Sequence, residues 1–193
     1  MKYFIDDFDS DCLILTEFIK DIEFNHNRRR KKINNNKNRG VKTFSMLYGV
    51  TPYKILTKNR FRERDPKSNY FLTIGRTQYP ELQNIFEEFQ SLYFSDFNFK
   101  CVQINKNLQC SEHKDGLNVG ISIMVGLGDY RGGLLGIRDE NGKVKNNETW
   151  HKLIKFNGSK FSHYTTPFTG ERYTLVFFNP EWSVKKKKNL VRQ

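Results

Sequence analysis

The run His113-Lys114-Asp115-Gly116-Leu117-Asn118-Val119-Gly120-Ile121-Ser122, together with His163 and the later Thr166-Pro167-Phe168-Thr169-Gly170-Glu171-Arg172-Tyr173-Thr174, decides how this chain folds. His113 and Asp115 are two apart, so in extended chain both side chains leave the same face; on a helix they would diverge by about 200°. His163 stands fifty residues after His113. Between them lie short apolar runs broken by glycine: 121–127, then Gly128-Asp129-Tyr130-Arg131-Gly132-Gly133, then 134–137. In Arg172-Tyr173-Thr174-Leu175-Val176-Phe177-Phe178, strand alternation places Arg172, Thr174, Val176 and Phe178 on one face. Pro167 and Gly170 suit a strand that turns a corner into an opposite sheet.

Outward from this stretch, strands are expected at 42–50, 70–74, 99–105, 120–127, 133–138, 149–156, 159–164 and 172–178. Asp139-Glu140-Asn141-Gly142 and Asn157-Gly158 are turn signals between them. Two helices precede most of the strands. Ser10 or Asp11 can cap the first, with Leu13, Ile14, Phe18, Ile19 and Ile22 recurring at helical spacing to about residue 25. Pro80 opens the second, which carries the apolar stripe Leu82, Ile85, Phe86, Phe89, Leu92 and Tyr93. The pattern predicts a mainly β fold with supporting α: a double-stranded β-helix (jelly roll) with N-terminal helices packed on one sheet. No internal repeat is present.

At 193 residues the chain is read as one domain: an N-terminal helix region (1–25), a basic mobile loop (26–40), the jelly-roll core (41–180) and a basic C-terminal tail (181–193). The net charge of +12 is uneven. Eight basic residues lie in 26–42 and five in 185–192; removing these 13 from 33 leaves 20 basic against 21 acidic residues. Two basic segments thus carry the excess, which suits sequence-independent attraction to phosphates or a merely solvated, disordered run. Three cysteines without a CxxC pair indicate neither a disulfide framework nor a zinc ribbon. Acidic residues at Asp6, Asp7, Asp9, Asp11 and Glu17 speak against a secretory leader, and no apolar run approaches a membrane span, so an intracellular protein is expected.

Two imidazoles and one carboxylate form the facial triad of non-haem Fe(II) oxygenases, which leaves coordination positions open for substrate and dioxygen. The same donors also suit a hydrolytic zinc site, although that chemistry gives no reason for an inward arginine one strand on. Taken with Arg172, residues 70–180 resemble the Fe(II)/2-oxoglutarate-dependent dioxygenase superfamily. The resemblance implies that His113, Asp115 and His163 are the catalytic iron ligands, that Arg172 pairs with the distal carboxylate of 2-oxoglutarate, and that Thr174 adds a hydroxyl contact. Fe(II) and 2-oxoglutarate are then the cofactors. Members that halogenate lack the carboxylate, so Asp115 implies hydroxylation.

The run from His113 to Ser122 is similar to the ten-eleven-translocation and J-binding-protein branch of nucleobase hydroxylases, in which the asparagine matching Asn118 helps hold a flipped pyrimidine. Gly132-Gly133 after Gly128-Asp129-Tyr130 adds to the likeness, though a hairpin or bulge would use the same glycines. The animal members' cysteine-rich zinc region is missing. What this implies is hydroxylation of the 5-methyl group of 5-methylcytosine or thymine in DNA, with DNA as partner, no membrane, and a nuclear or other DNA-containing compartment. The basic segments and Lys58, Arg60, Arg62 and Arg64 could hold the backbone. Two alternatives stand beside it: a 2-oxoglutarate-dependent prolyl-type protein hydroxylase, which usually carries lysine where Arg172 stands, and a non-catalytic jelly-roll module that binds nucleic acid. Gln103 and Asn105 share a strand face and could reach the cosubstrate or pair in the core. Tyr130 could stack on a base, and His151 is either a support to the metal site or a histidine satisfied by a neighbour; His26 receives no role.

Overall fold

A computed structural model describes residues 2–23, 43–52, 63–116 and 118–181. Two antiparallel sheets face each other. The larger runs β2 (Phe71–Leu72), β1 (Phe44–Thr51), β3 (Cys101–Lys106), β9 (Phe168–Phe178), β4 (Ser122–Gly132) and β7 (Ile154–Phe156). The smaller runs β6 (Val144–Asn147), β5 (Leu135–Arg138) and β8 (Ser162–Thr165). This is the expected jelly roll with supporting helices: α1 (Phe8–Lys20), α2 (Ile74–Gln78) and α3 (Leu82–Tyr93).

Alternation along β9 divides the interior into two chemistries. Tyr173, Leu175 and Phe177 turn toward the helices and join Leu15, Ile19, Phe86 and Phe89 in the main apolar core. Phe177 meets the edges of Phe86, Phe94 and Phe99 at centroid distances of 5.0–5.9 Å, a geometry the aromatic quadrupole favours. Arg172, Thr174, Val176 and Phe178 turn the other way and line a cavity between the two sheets. Register carries the same division to β3, where Gln103 lies opposite Val176 and Asn105 opposite Thr174. One sheet thus has an oily face for the helices and a partly polar face for the site.

Several elements depart from the sequence expectation for identifiable reasons. The first helix begins earlier, because Asp7 caps it by accepting from Ser10 N at 2.9 Å. Asp11 is buried instead, its carboxylate accepting from Ile5 N, Asp6 N and the Tyr93 hydroxyl. The strand expected at 70–74 is two residues long, because the Thr73 hydroxyl accepts from Arg76 N and starts α2. The strand expected at 149–156 shrinks to Ile154–Phe156 because His151 turns the chain at φ 46°. β6 was not anticipated: Lys145-Asn146-Asn147 has low strand propensity, and its pairing to β5 follows from the 139–142 turn, where Asp139 Oδ1 accepts from Asn141 N and Lys143 N. Expectations for 26–40, for Lys58, Arg60 and Arg62, and for 182–193 lie outside the described residues. Among the described residues, no helix is long and apolar enough to cross a membrane.

Candidate metal centre

His113 and His163 form an antiparallel bridge, each backbone N–H donating to the other's carbonyl at 3.0 and 2.9 Å. Directly opposed residues project to the same face, so the imidazoles sit with centroids 4.4 Å apart. Asp115 N donates to Gly158 O at 2.8 Å, which returns the carboxylate to the same point. His113 Nε2 lies 3.8 Å from Asp115 Oδ1 and His163 Nε2 lies 3.8 Å from Asp115 Oδ2. These separations are too long for hydrogen bonds and leave room for one cation. One ligand atom from each of the three residues falls within 4.8 Å of the others.

The imidazoles are oriented from behind. His113 Nδ1 is 2.7 Å from Ser111 O and His163 Nδ1 is 3.3 Å from Phe161 O. A carbonyl can only accept, so each Nδ1 carries the proton and each Nε2 presents its lone pair, the arrangement expected of metal-ligating histidines. Asn118 Nδ2 donates to Asp115 Oδ2 at 2.8 Å and to Ser122 Oγ at 3.2 Å. Gly158 packs behind the centre: a Cβ there would overlap Asp115 Oδ2 and lie 3.0 Å from His163 Cε1.

Arg172 lies in the same cavity and is 2% exposed. Its Nη2 donates to Gly133 O at 3.0 Å with a longer 3.5 Å contact to Thr149 Oγ1, while Nε is buried without an acceptor. The guanidinium carbon sits 5.3 Å from the Tyr130 ring centroid and 5.5 Å from that of Phe168. Among the described residues, no carboxylate pairs with it. Burial pushes the Arg172 pKa down, yet a guanidinium stays charged at neutral pH. Burial also pushes the Tyr130 phenol up, so that neighbour remains neutral and supplies no counter-charge. A buried, uncompensated cation aimed into a cavity fits an anionic ligand. Asn105 Nδ2 donates to Thr174 Oγ1 at 3.0 Å, and Ser45 Oγ donates to Asn105 Oδ1 while accepting from Gln103 Nε2.

The chain therefore brings His113, Asp115, His163, Arg172, Thr174 and Asn118 to one cavity. Tyr130 is not a base platform: it is 7% exposed, with its hydroxyl on Thr149 Oγ1 and its ring against Arg172. His151 stands apart, bonded to Asp9 and stacked on Trp150 at 4.3 Å. Thr149 and Asn107 received no site role from the sequence, and Gly133 and Gly158 stand out there only as turn or bulge glycines. A Cβ at Gly133 would come within 2.7 Å of Arg172 Nε, and the Asn107 side chain accepts from Arg172 N at 2.8 Å. Only the glycines left a signal in the sequence, and a turn would leave the same one.

No protein-family model and no curated protein sequence matches the chain. Among solved structures it is similar to a prolyl hydroxylase from Trichoplax adhaerens in complex with a hypoxia inducible factor peptide fragment, at 13% identity over 92% of this chain and 80% of that chain, TM-score 0.50. It is also similar to an oxidoreductase of the 2OG-Fe(II) oxygenase family from Burkholderia pseudomallei, at 13% identity over 70% and 65%, TM-score 0.46. A third is NgTET1 in complex with 5mC DNA, at 14% identity over 71% of this chain, TM-score 0.47; the match spans 61% of that chain. The chain shares the jelly-roll fold of that prolyl hydroxylase, and the two imidazoles, one carboxylate and buried guanidinium of its cavity are a donor set that suits a divalent cation and an anionic ligand.

Proposed function

We propose that this chain is an Fe(II)- and 2-oxoglutarate-dependent dioxygenase that hydroxylates the 5-methyl group of a pyrimidine in DNA. The observation that carries the oxidative part is the meeting, in one cavity, of a two-histidine, one-aspartate cluster with a buried guanidinium that pairs with no carboxylate among the described residues. His113, Asp115 and His163 hold the metal through three atoms, leaving positions for cosubstrate and oxygen. Arg172 takes the distal carboxylate of 2-oxoglutarate, and Thr174 donates its hydroxyl to the same end. Fe(II) with 2-oxoglutarate supplies an oxidant for C–H bonds: the methyl group, O2 and 2-oxoglutarate become the hydroxymethyl group, succinate and CO2.

Asn118 supports a base as substrate. Both of its amide hydrogens are taken, by Asp115 and Ser122, so its carbonyl is left as an acceptor at the cavity wall. An acceptor suits the cytosine N4 amino group and not thymine O4, which is itself an acceptor. The same carbonyl could accept from the thymine N3–H of a base that has left the stack, so 5-methylcytosine and thymine both fit. Incubating the protein with Fe(II), 2-oxoglutarate and 5-methylcytosine- or thymine-containing DNA, followed by mass spectrometry of nucleosides, tests this. 5-Hydroxymethylcytosine or 5-hydroxymethyluracil with matching succinate is expected. Succinate formed with peptides and no oxidised nucleoside from any DNA would overturn the choice of substrate.

A further inference from the structure

A second groove, of about 560 Å³, opens beside the metal cavity, and the two share the Phe156 ring, which also meets His163 edge-on at 5.1 Å. It lies where both sheets end, since β6 is the edge of the smaller sheet and β7 the edge of the larger. In the register of the smaller sheet, His163, Ile137 and Lys145 are cross-strand partners in one row, and Thr165, Leu135 and Asn147 form the next. His163, Thr165 and Leu135 face the metal cavity, so Lys145 occupies an inward-facing position on the same side. Adjacent strands are about 4.8 Å apart, which places the Lys145 backbone roughly 10 Å from that of His163.

Lys143 and Lys155 line this groove with Lys145, and among the described residues none of the three makes an ion pair. Asp139, the acidic residue lining it, has Oδ1 occupied by two backbone N–H groups of its turn. Ile121, 49% exposed, and Phe161 supply an apolar surface along the same groove. Cations without partners beside apolar and aromatic surface are what a phosphodiester strand uses, phosphates on the ammonium groups and base faces on the rings.

We propose that Lys143, Lys145 and Lys155 form a track for the phosphodiester backbone of a single nucleic-acid strand, leading the reactive nucleotide to the metal centre. The track deepens the reading of the chain as a nucleobase hydroxylase and rests on it. Lysines at sheet edges also keep strands from pairing with other chains, and that ordinary role predicts a different result.

The test compares the full-length wild type with a K143Q/K145Q/K155Q variant and with K2Q/K67Q/K152Q, which removes the same charge elsewhere. The probes are a fluorescent oligothymidylate and a poly-glutamate peptide, each titrated at several salt concentrations. For single strands each phosphate contact contributes about 0.7 to the log-log salt slope, so three contacts contribute about 2, or on the order of 100-fold in affinity at 0.1 M salt. The groove variant is expected to lose that slope and affinity for oligothymidylate, and the control to change little. Equal loss in both variants, or self-association of the groove variant with undiminished oligothymidylate binding, would overturn the track. So would a groove-dependent preference for poly-glutamate. If the groove variant loses binding while the wild type oxidises no nucleoside, the track stands and the hydroxylase reading fails. If wild type and groove variant oxidise DNA alike at sub-saturating substrate, the track fails and the reading stands.

Discussion

Replacing Arg172 with methionine should leave the protein at least as stable as wild type without ligand and remove the stabilisation that the cosubstrate gives wild type. The guanidinium is 2% exposed, its Nε lacks an acceptor, and no carboxylate among the described residues compensates it. Burying such an ion costs several kcal/mol after relaxation. One charge-assisted bond to Gly133 O returns about 1.5–3 kcal/mol, and the Tyr130 and Phe168 rings return up to about 2. The terms nearly cancel, and buried ions replaced by apolar residues of similar volume are often neutral to stabilising by 1–4 kcal/mol. For a chain of this size each kcal/mol shifts Tm by about 2–4 °C, so Arg172→Met without ligand should melt at the wild-type temperature or up to roughly 16 °C above it. In wild type, 2-oxoglutarate at 100 times its Kd with Fe(II) under nitrogen should add about 2.7 kcal/mol, a rise of roughly 5–10 °C that the variant should lack. Differential scanning fluorimetry reads both quantities, and only the wild type should respond to the ligand. A variant destabilised by several kcal/mol that still responds to 2-oxoglutarate would refute the assignment of Arg172 as the cosubstrate's partner.

Gly158→Ala should keep the fold, since the backbone there is not left-handed, but displace Asp115 and His163; we expect a 10- to 100-fold weaker metal affinity by competition titration with a Tm close to wild type. Burial pushes the Cys101 thiol up to about 11 and the Cys12 thiol up to about 12, so both stay protonated at pH 8. A disulfide reagent should modify the half-buried Cys110 first and reach the other two on unfolding, with Cys101 slowed on the order of 100-fold by its thiolate fraction alone. Hydrogen bonds from Arg138 and Ser162 hold the Glu112 carboxyl at about 2, against 4.5 ordinarily. Its contribution is present above pH 4.5 and lost as pH falls through 2, so the Tm-versus-pH curves of wild type and Glu112→Gln should converge across that window; parallel curves would contradict the bridge.

The parts of the fold legible in the sequence were those fixed by periodicity. Two-residue alternation from Arg172 to Phe178 separated the helix-facing face from the cavity face, and the same rule put His113 and Asp115 together. Helix α3 announced itself through its apolar stripe. What escaped was held by tertiary contacts that leave no local pattern. β6 exists because β5 offers it a partner, and His151 takes a left-handed backbone where the reading expected a straight strand. The support of Arg172 by Thr149, Asn107 and Gly133 joins residues from separate strands and turns that only the closed barrel brings together. Asn157-Gly158 was legible as a turn, and its second residue gained its role from Asp115, forty-three positions earlier.

Anomalous diffraction from crystals grown under nitrogen with Fe(II) and 2-oxoglutarate locates the metal and the cosubstrate together. A single iron peak bonded to His113 Nε2, Asp115 and His163 Nε2, with the distal carboxylate of 2-oxoglutarate on Arg172, is the predicted result. Iron bound elsewhere, or a cosubstrate that leaves Arg172 untouched, would contradict it.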